Sequence, residues 1–238
     1  MTTTAHIIQP DATALAAHVA EWLTAQAEAS TGPFSISLSG GSTPKALYSL
    51  LATPPFAARM PWSRVHLFFG DERVVPHTHP DSNYRMVKEA LLNHVPIPEG
   101  NVYPIPTDTT PEDAAARYTA TLQHFYGSNL ITAAKPFFNV TLLGLGEDGH
   151  TASLFPQTAA LTERTAWATA VIGAKPEARL TLTYPVLESS QTVAFLIAGS
   201  SKHTMLKRLM EHDPTIPAGR LVPTGNLIWF TDESAANG

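Results

Sequence analysis

Apolar positions along this chain recur at two spacings, and their alternation predicts the fold class. Leu15, Val19, Trp22 and Leu23 fall at helical spacing behind Asp11, a suitable N-cap, so residues 11–29 are predicted helical until Gly32-Pro33 breaks the segment. Phe34 to Leu38 then alternates as a strand, and the small-residue loop Ser39-Gly40-Gly41-Ser42 follows. Thr43-Pro44 reads as N-cap and first residue of a helix running to about Leu51. Val65 to Phe69 is the next apolar run, followed by a polar, proline-bounded loop to Pro80 and a helix from Ser82 to about Asn93. Residues 96–111 are proline-rich and predicted irregular, and residues 112–126 helical. Further strands are predicted at Phe137 to Leu145, Trp167 to Ile172, Leu180 to Thr183, Val193 to Ala198 and Leu227 to Phe230, with a helix from Ser200 to Glu211. Short apolar runs alternating with helices imply an α/β fold, a mostly parallel sheet flanked by helices. No linker, repeat or low-complexity tract divides residues 1–238, so one domain is expected.

Composition narrows the function classes. The 238 residues are 44% hydrophobic and 15% charged, which excludes bulk disorder. The net charge is −5 and no run of like charge exceeds two residues, so neither a nucleic-acid-binding face nor a polybasic membrane patch is expected. There is no cysteine, which excludes disulfides, thiolate nucleophiles, Cys-ligated zinc and iron–sulfur clusters. Residues 1–10 lack a signal-peptide pattern, and no stretch approaches eighteen apolar residues. The expectation is a soluble, cytoplasmic protein.

In open α/β sheets, ligands bind beyond the carboxyl ends of the strands, and several such positions here carry unusual residues. Ser39 to Lys45 combines glycines that let backbone amides approach an anion with the start of a helix, whose dipole favours negative charge. That suits a phosphate, although the Walker A ending is missing, and the same residues also suit a plain tight turn. Gly70-Asp71-Glu72-Arg73 can grip a phosphate or hydroxyls, or be a solvated charged turn. Gly144, Gly146 and Gly149 match the dinucleotide spacing, but Pro156 interrupts the required helix and the acid near Glu163 does not end a strand. What remains there is His150 beside Glu147 and Asp148, an imidazole suited to proton transfer with carboxylates to orient it. Arg179 and Lys202 are cations near two further strand termini. His77, His79 and Asp81 form a weak metal-like cluster without a third fixed ligand. Ser39 and Ser42 stand outside any nucleophile-elbow pattern.

Taken in order, Ser39-Gly40-Gly41-Ser42-Thr43-Pro44, Gly70-Asp71-Glu72-Arg73-Val74-Val75-Pro76 with Asp81-Ser82-Asn83-Tyr84, and Gly144 to Pro156 closely resemble the 6-phosphogluconolactonase family. Arg179 to Thr183, Gly199 to Lys202 and Trp229-Phe230 extend the resemblance over nearly the whole chain. Sugar-phosphate deaminases share the Asp-Gly-His core but end differently from Thr151-Ala152-Ser153-Leu154-Phe155-Pro156. The resemblance implies the fold of the sugar-phosphate isomerases and deaminases, hydrolysis of 6-phospho-D-glucono-1,5-lactone in the oxidative pentose phosphate pathway, and no cofactor or metal. On that footing His150 is expected to activate water and Asp148 to orient it. Arg73, Arg179 and Lys202 are expected to hold the phosphate with Gly40, Gly41 and Ser42, and Asp71 to contact the substrate. The expected partner is this small phosphosugar lactone alone; oligomeric state is left open, a monomer being compatible with the sequence. Two alternatives stand beside this reading. One is an amino-sugar-phosphate isomerase or deaminase with Asp71 or Glu72 as base at C2. The other is a non-catalytic phosphosugar sensor, for which the segment before Phe34 leaves no room for a DNA-binding module.

Overall fold

The computed structural model describes residues 3–238. Strand β1 (Thr4–Gln9) leads into helix α1 (Ala12–Ala29), which Asp11 caps by accepting the Thr13 and Ala14 amides, each at 2.8 Å. The face of α1 carrying Leu15, Val19, Leu23 and Ala27 is buried, as its spacing requires. Strand β2 (Phe34–Leu38) is buried at every position, including Ser35 and Ser37, as befits a central strand covered on both faces. Next come α2 (Ser42–Leu51), α3 (Phe56–Arg59), β3 (Val65–Phe69), β4 (Asp71–Arg73), α4 (Asn83–Ala90), β5 (Val102–Tyr103) and α5 (Pro111–Tyr126). The chain continues through β6 (Phe138–Leu143), β7 (Ala168–Val171), β8 (Arg179–Leu182), α6 (Tyr184–Glu188), β9 (Ser190–Ile197), α7 (His203–Met210), β10 (Asn226–Asp232) and α8 (Glu233–Asn237).

Seven strands form one sheet in the order β1-β10-β9-β6-β2-β3-β5, with every pairing parallel. The strand order departs in opposite directions from the β2–β6 pair, which makes that boundary the switch point where the loops part and leave a crevice. β4, β8 and β7 form a separate antiparallel sheet of three strands. The segments predicted at 167–172 and 180–183 therefore lie outside the parallel sheet. Their partner β4 reads Asp-Glu-Arg and carries no apolar pattern to announce it. Likewise β1, β5 and the short helices α3, α6 and α8 lie where no element was predicted. Gly70 joins the two sheets: its amide donates to Leu38 O (2.9 Å) and its carbonyl accepts from Leu182 N (2.8 Å).

Two buried tyrosines fix the strand ends that lead into the loops. Tyr48 Oη donates to Ser39 O (2.8 Å) and accepts from Ser39 N (3.0 Å) at the end of β2. Tyr118 Oη does the same for Phe69 O (3.0 Å) and Phe69 N (2.9 Å) at the end of β3. Burial raises both phenols far above their ordinary range, so they stay protonated and keep their donors. One buried apolar cluster runs from Leu15 to Ala235 beneath this arrangement. Among the described residues no helix is long and apolar enough to cross a membrane.

Candidate active site

The crevice at the switch point is a cavity of about 220 Å³. Its wall includes Gly40 and Gly41 after β2, Asp71 and Arg73 of β4, His150 after β6 and Lys202 after β9. Six of the nine residues to which the resemblance gives a role thus share one cavity. Of the other three, Ser42 begins α2 directly behind Gly41, while Asp148 and Arg179 flank the cavity without lining it.

The glycine loop is shaped by its neighbours. Gly41 has φ +102°, a conformation that favours glycine, and it caps α2 without any side-chain bond. The first amides of α2 are therefore uncapped by a side chain at the cavity edge, with the positive end of the helix dipole behind them. A Cβ on Gly40 would sit 2.2 Å from Asn83 Oδ1. Asn83 was not singled out, yet it lines the cavity. Its amide nitrogen donates to Asp71 O (2.9 Å) and Asp71 Oδ1 (3.2 Å), while its Oδ1 accepts from Arg73 Nη1 (3.2 Å). Arg73 Nη1 also donates to Asp81 O (2.5 Å), which aims the guanidinium. Asp71 Oδ2 accepts from Ser153 Oγ (2.6 Å), tying the loop after β6 to β4.

Arg179 stands directly opposite Arg73 in the antiparallel β4–β8 pair. Burial and the neighbouring Arg73 guanidinium both lower its affinity for a proton, and Asp71 and Glu177 only partly offset them. Its Nη1 is buried without a hydrogen-bond partner among the described residues. Like charges directly opposed on a sheet are destabilising, so this pair fits an anion better than an empty wall. Lys202 sits in a 3-10 turn held by its own amide on Gly199 O (3.0 Å), with Gly199 N anchored to the buried Asp232 carboxylate at 3.0 and 3.1 Å.

His150 projects from a tight turn. Gly146 N donates to His150 O (2.8 Å), Gly149 N to Gly146 O (3.0 Å), and Gly149 takes φ +77°. His150 Nδ1 is hydrogen-bonded to Asp148 Oδ1, which also accepts from His150 N (3.1 Å). Burial pushes the Asp148 carboxyl up, but the hydrogen bonds and charge of His150 outweigh it and hold the carboxyl below its ordinary value. With Nδ1 committed to a carboxylate, Nε2 is the nitrogen left to accept a proton. The imidazole occupies space that exists only because residue 146 is glycine: a Cβ there would lie 2.0 Å from His150 Nδ1. On its other side the ring meets Phe155, centroid to centroid 4.6 Å. Asp148 and Phe155 in turn line a neighbouring cavity of about 680 Å³ that extends to Lys175.

Glu72 does not line the cavity. It is 1% exposed and both of its oxygens are occupied by donors from Arg73, Ser82, Asn83 and Tyr84, so it is unavailable as the C2 base of the isomerase alternative. His77 and His79 are likewise committed separately, His77 Nε2 to Ile105 O (2.9 Å) and His79 Nδ1 to Asp81 N (3.2 Å). Among the described residues no group of three or more His, Asp or Glu side chains is arranged to hold a metal ion.

Residues 10–229 match the family model described as glucosamine-6-phosphate isomerases/6-phosphogluconolactonase. Among curated proteins, the chain is 39% identical over 236 residues to the 6-phosphogluconolactonase of a Nostoc species, covering 96% of this chain and 95% of that one. It is 44% identical over 215 residues to the 6-phosphogluconolactonase of a Synechocystis species, covering 88% and 86%. Among solved structures, the 6-phosphogluconolactonase of Trypanosoma cruzi superposes with a TM-score of 0.85 at 30% identity, covering 100% of this chain and 98% of that one.

Proposed function

Because the chain belongs to the glucosamine-6-phosphate isomerase/6-phosphogluconolactonase family, we propose that this enzyme hydrolyses 6-phospho-D-glucono-1,5-lactone to 6-phospho-D-gluconate, with His150 as general base. The observation that carries the reading is a single one. An imidazole oriented by a carboxylate shares a cavity of about 220 Å³ with Arg73 and Lys202. A base and an anion grip within one small cavity match a substrate that has an electrophilic carbonyl at one end and a phosphate at the other.

A δ-lactone is an activated ester, so its hydrolysis needs a positioned water and a base rather than a covalent nucleophile. His150 Nε2 takes a proton from the water as the oxygen bonds to C1. The tetrahedral intermediate then collapses, the C1–ring oxygen bond breaks, and the imidazolium returns its proton to the departing oxygen. Asp148 keeps the tautomer that leaves Nε2 free and stabilises the imidazolium between the two steps. Arg73, Arg179 and Lys202, with the amides at Gly40, Gly41 and Ser42, hold the phosphate. That grip lies remote from C1, so its binding energy serves to position the lactone for attack. Asp71 accepts from a sugar hydroxyl.

The test is to generate the lactone in situ by oxidising glucose 6-phosphate and to follow its loss against the uncatalysed background. His150→Ala is expected to reduce the rate by about 10²–10⁴-fold while product binding survives. A variant that keeps most of its rate would remove His150 from the base role. Calorimetry on Arg73→Ala is expected to show weakened product binding, and unchanged affinity would remove Arg73 from the phosphate grip.

A further inference from the structure

Glu72 is a buried carboxylate that the reaction does not use, and no cation is paired with it in a salt bridge among the described residues. Burying such a group is costly unless its lone pairs are filled. Here they are filled by four donors. Oε1 accepts from Arg73 N (2.8 Å) and Asn83 N (2.7 Å); Oε2 accepts from Ser82 Oγ (3.0 Å) and Tyr84 N (2.8 Å). Capping the start of α4 accounts for the Ser82, Asn83 and Tyr84 bonds, since Ser82 itself serves only Arg85 N (3.2 Å), but not for the bond to Arg73 N on β4. Two of the donors belong to Arg73 and Asn83, the pair whose side chains line the cavity and bond to each other at 3.2 Å. The two residues are thus tied twice, once through their backbones on a single carboxylate oxygen and once through their side chains. Asn83 in turn fills the space against Gly40, so the clamp reaches the glycine loop.

We infer that Glu72 is a positioning residue: by pinning the backbones of Arg73 and Asn83 it sets the guanidinium on the cavity wall, and so makes the enzyme prefer a phosphorylated lactone over an unphosphorylated one. The inference rests on the reading that Arg73 holds the phosphate. Glu72 touches no substrate and acts through Arg73.

The full-length wild type, Glu72→Gln, Arg73→Ala and the double variant are assayed on 6-phosphogluconolactone and on unphosphorylated D-glucono-1,5-lactone. The expected result for Glu72→Gln is a fall of about tenfold in the ratio of the two kcat/KM values, carried by KM for the phosphorylated substrate. The double variant is expected to show no lower ratio than Arg73→Ala alone, because Glu72 acts through that residue. Equal losses on both substrates, or independent multiplying losses in the double variant, overturn the inference and leave Glu72 a purely structural residue. An Arg73→Ala ratio equal to wild type overturns the phosphate reading itself. An Arg73→Ala effect without one from Glu72→Gln overturns only the role of Glu72. If Glu72→Gln fails to fold, Glu72→Asp takes its place, since it keeps the charge while drawing the carboxylate away from the Arg73 and Asn83 amides. An unchanged ratio in that variant overturns the inference as well.

Discussion

Two acid-rich stretches, Asp71-Glu72-Arg73 and Glu147-Asp148-Gly149-His150, stand beside the same cavity, yet their inner carboxylates have opposite fates. Glu72 is 1% exposed; burial pushes its carboxyl up, and backbone donors pull back only part of the way. The Asp148 side chain is 42% exposed and its carboxyl is held below its ordinary value through His150. The first supports a framework and the second tunes a reactive group. The difference arises from what lies around them: Glu72 sits between a strand and a helix start, whereas Asp148 sits in an open glycine turn. Burial commits a carboxylate to whatever donors surround it, while exposure leaves it able to follow the charge of a partner.

That contrast breaks if stability and activity respond alike to both carboxylates. The largest effect is expected from Glu72→Ala, which orphans three backbone donors and a hydroxyl. It should lower unfolding stability by about 3 kcal/mol, since a buried donor left without its partner costs roughly 1–3 kcal/mol, read from urea denaturation. Asp148→Asn is expected to move stability by no more than about 0.5 kcal/mol, as for an exposed substitution, yet to slow hydrolysis by about 10²-fold, the lower end of what acid–base help is worth. A destabilisation of Asp148→Asn comparable to that of Glu72→Ala would falsify the division of roles.

Gly146→Ala sharpens the second region. The added Cβ meets His150 Nδ1 at 2.0 Å and Asp148 Oδ1 at 2.7 Å, both at the ends of side chains, so the dyad shifts rather than the backbone. About a tenfold loss of kcat is expected, with a stability change under about 1 kcal/mol by thermal melt. The smallest effect lies outside both regions. The Ala166 amide and the Thr165 hydroxyl and amide hold the Glu163 carboxyl down at about 2 from its ordinary 4.5. A native pKa below the unfolded one adds stability in full above the unfolded value and loses it as pH falls through about 2. Glu163→Gln should therefore lower Tm by ~1–3 °C at pH 7 and by progressively less below pH 4. An undiminished shift in acid would show that packing rather than charge is responsible.

Elements with a strong apolar period were legible in the chain: α1, β2, β3, α5 and β9 lie where their spacing puts them. β4 was not, because three charged residues carry no hydrophobic pattern and its partner β8 is over a hundred residues away. The small antiparallel sheet was hidden for the same reason, since strand spacing does not say which sheet a strand joins. Asn83 was visible as part of the Asp-Ser-Asn-Tyr segment, but its importance comes from touching Arg73, Asp71 and the space beside Gly40 at once, and no spacing rule encodes that. Ser153, which bonds Asp71 from the loop after β6, was missed in the same way.

The local chemistry belongs to the chain itself: glycine turns that admit an imidazole or an anion, an Asp and a His two residues apart, and runs apolar enough to be buried strands. These depend on short-range sterics and on hydrophobic spacing. The fold alone decided which of them meet. Parallel pairing around the β2–β6 boundary brings loops from distant parts of the chain to one cavity, and Gly70 turns the backbone out of one sheet into another so that Arg73 faces Arg179. Charge at a buried position is likewise a property of its three-dimensional surroundings, because desolvation and donor geometry are set by groups far away in sequence. That is why two neighbouring acids of the same type, Asp71 and Glu72, end up on the cavity wall and beneath it.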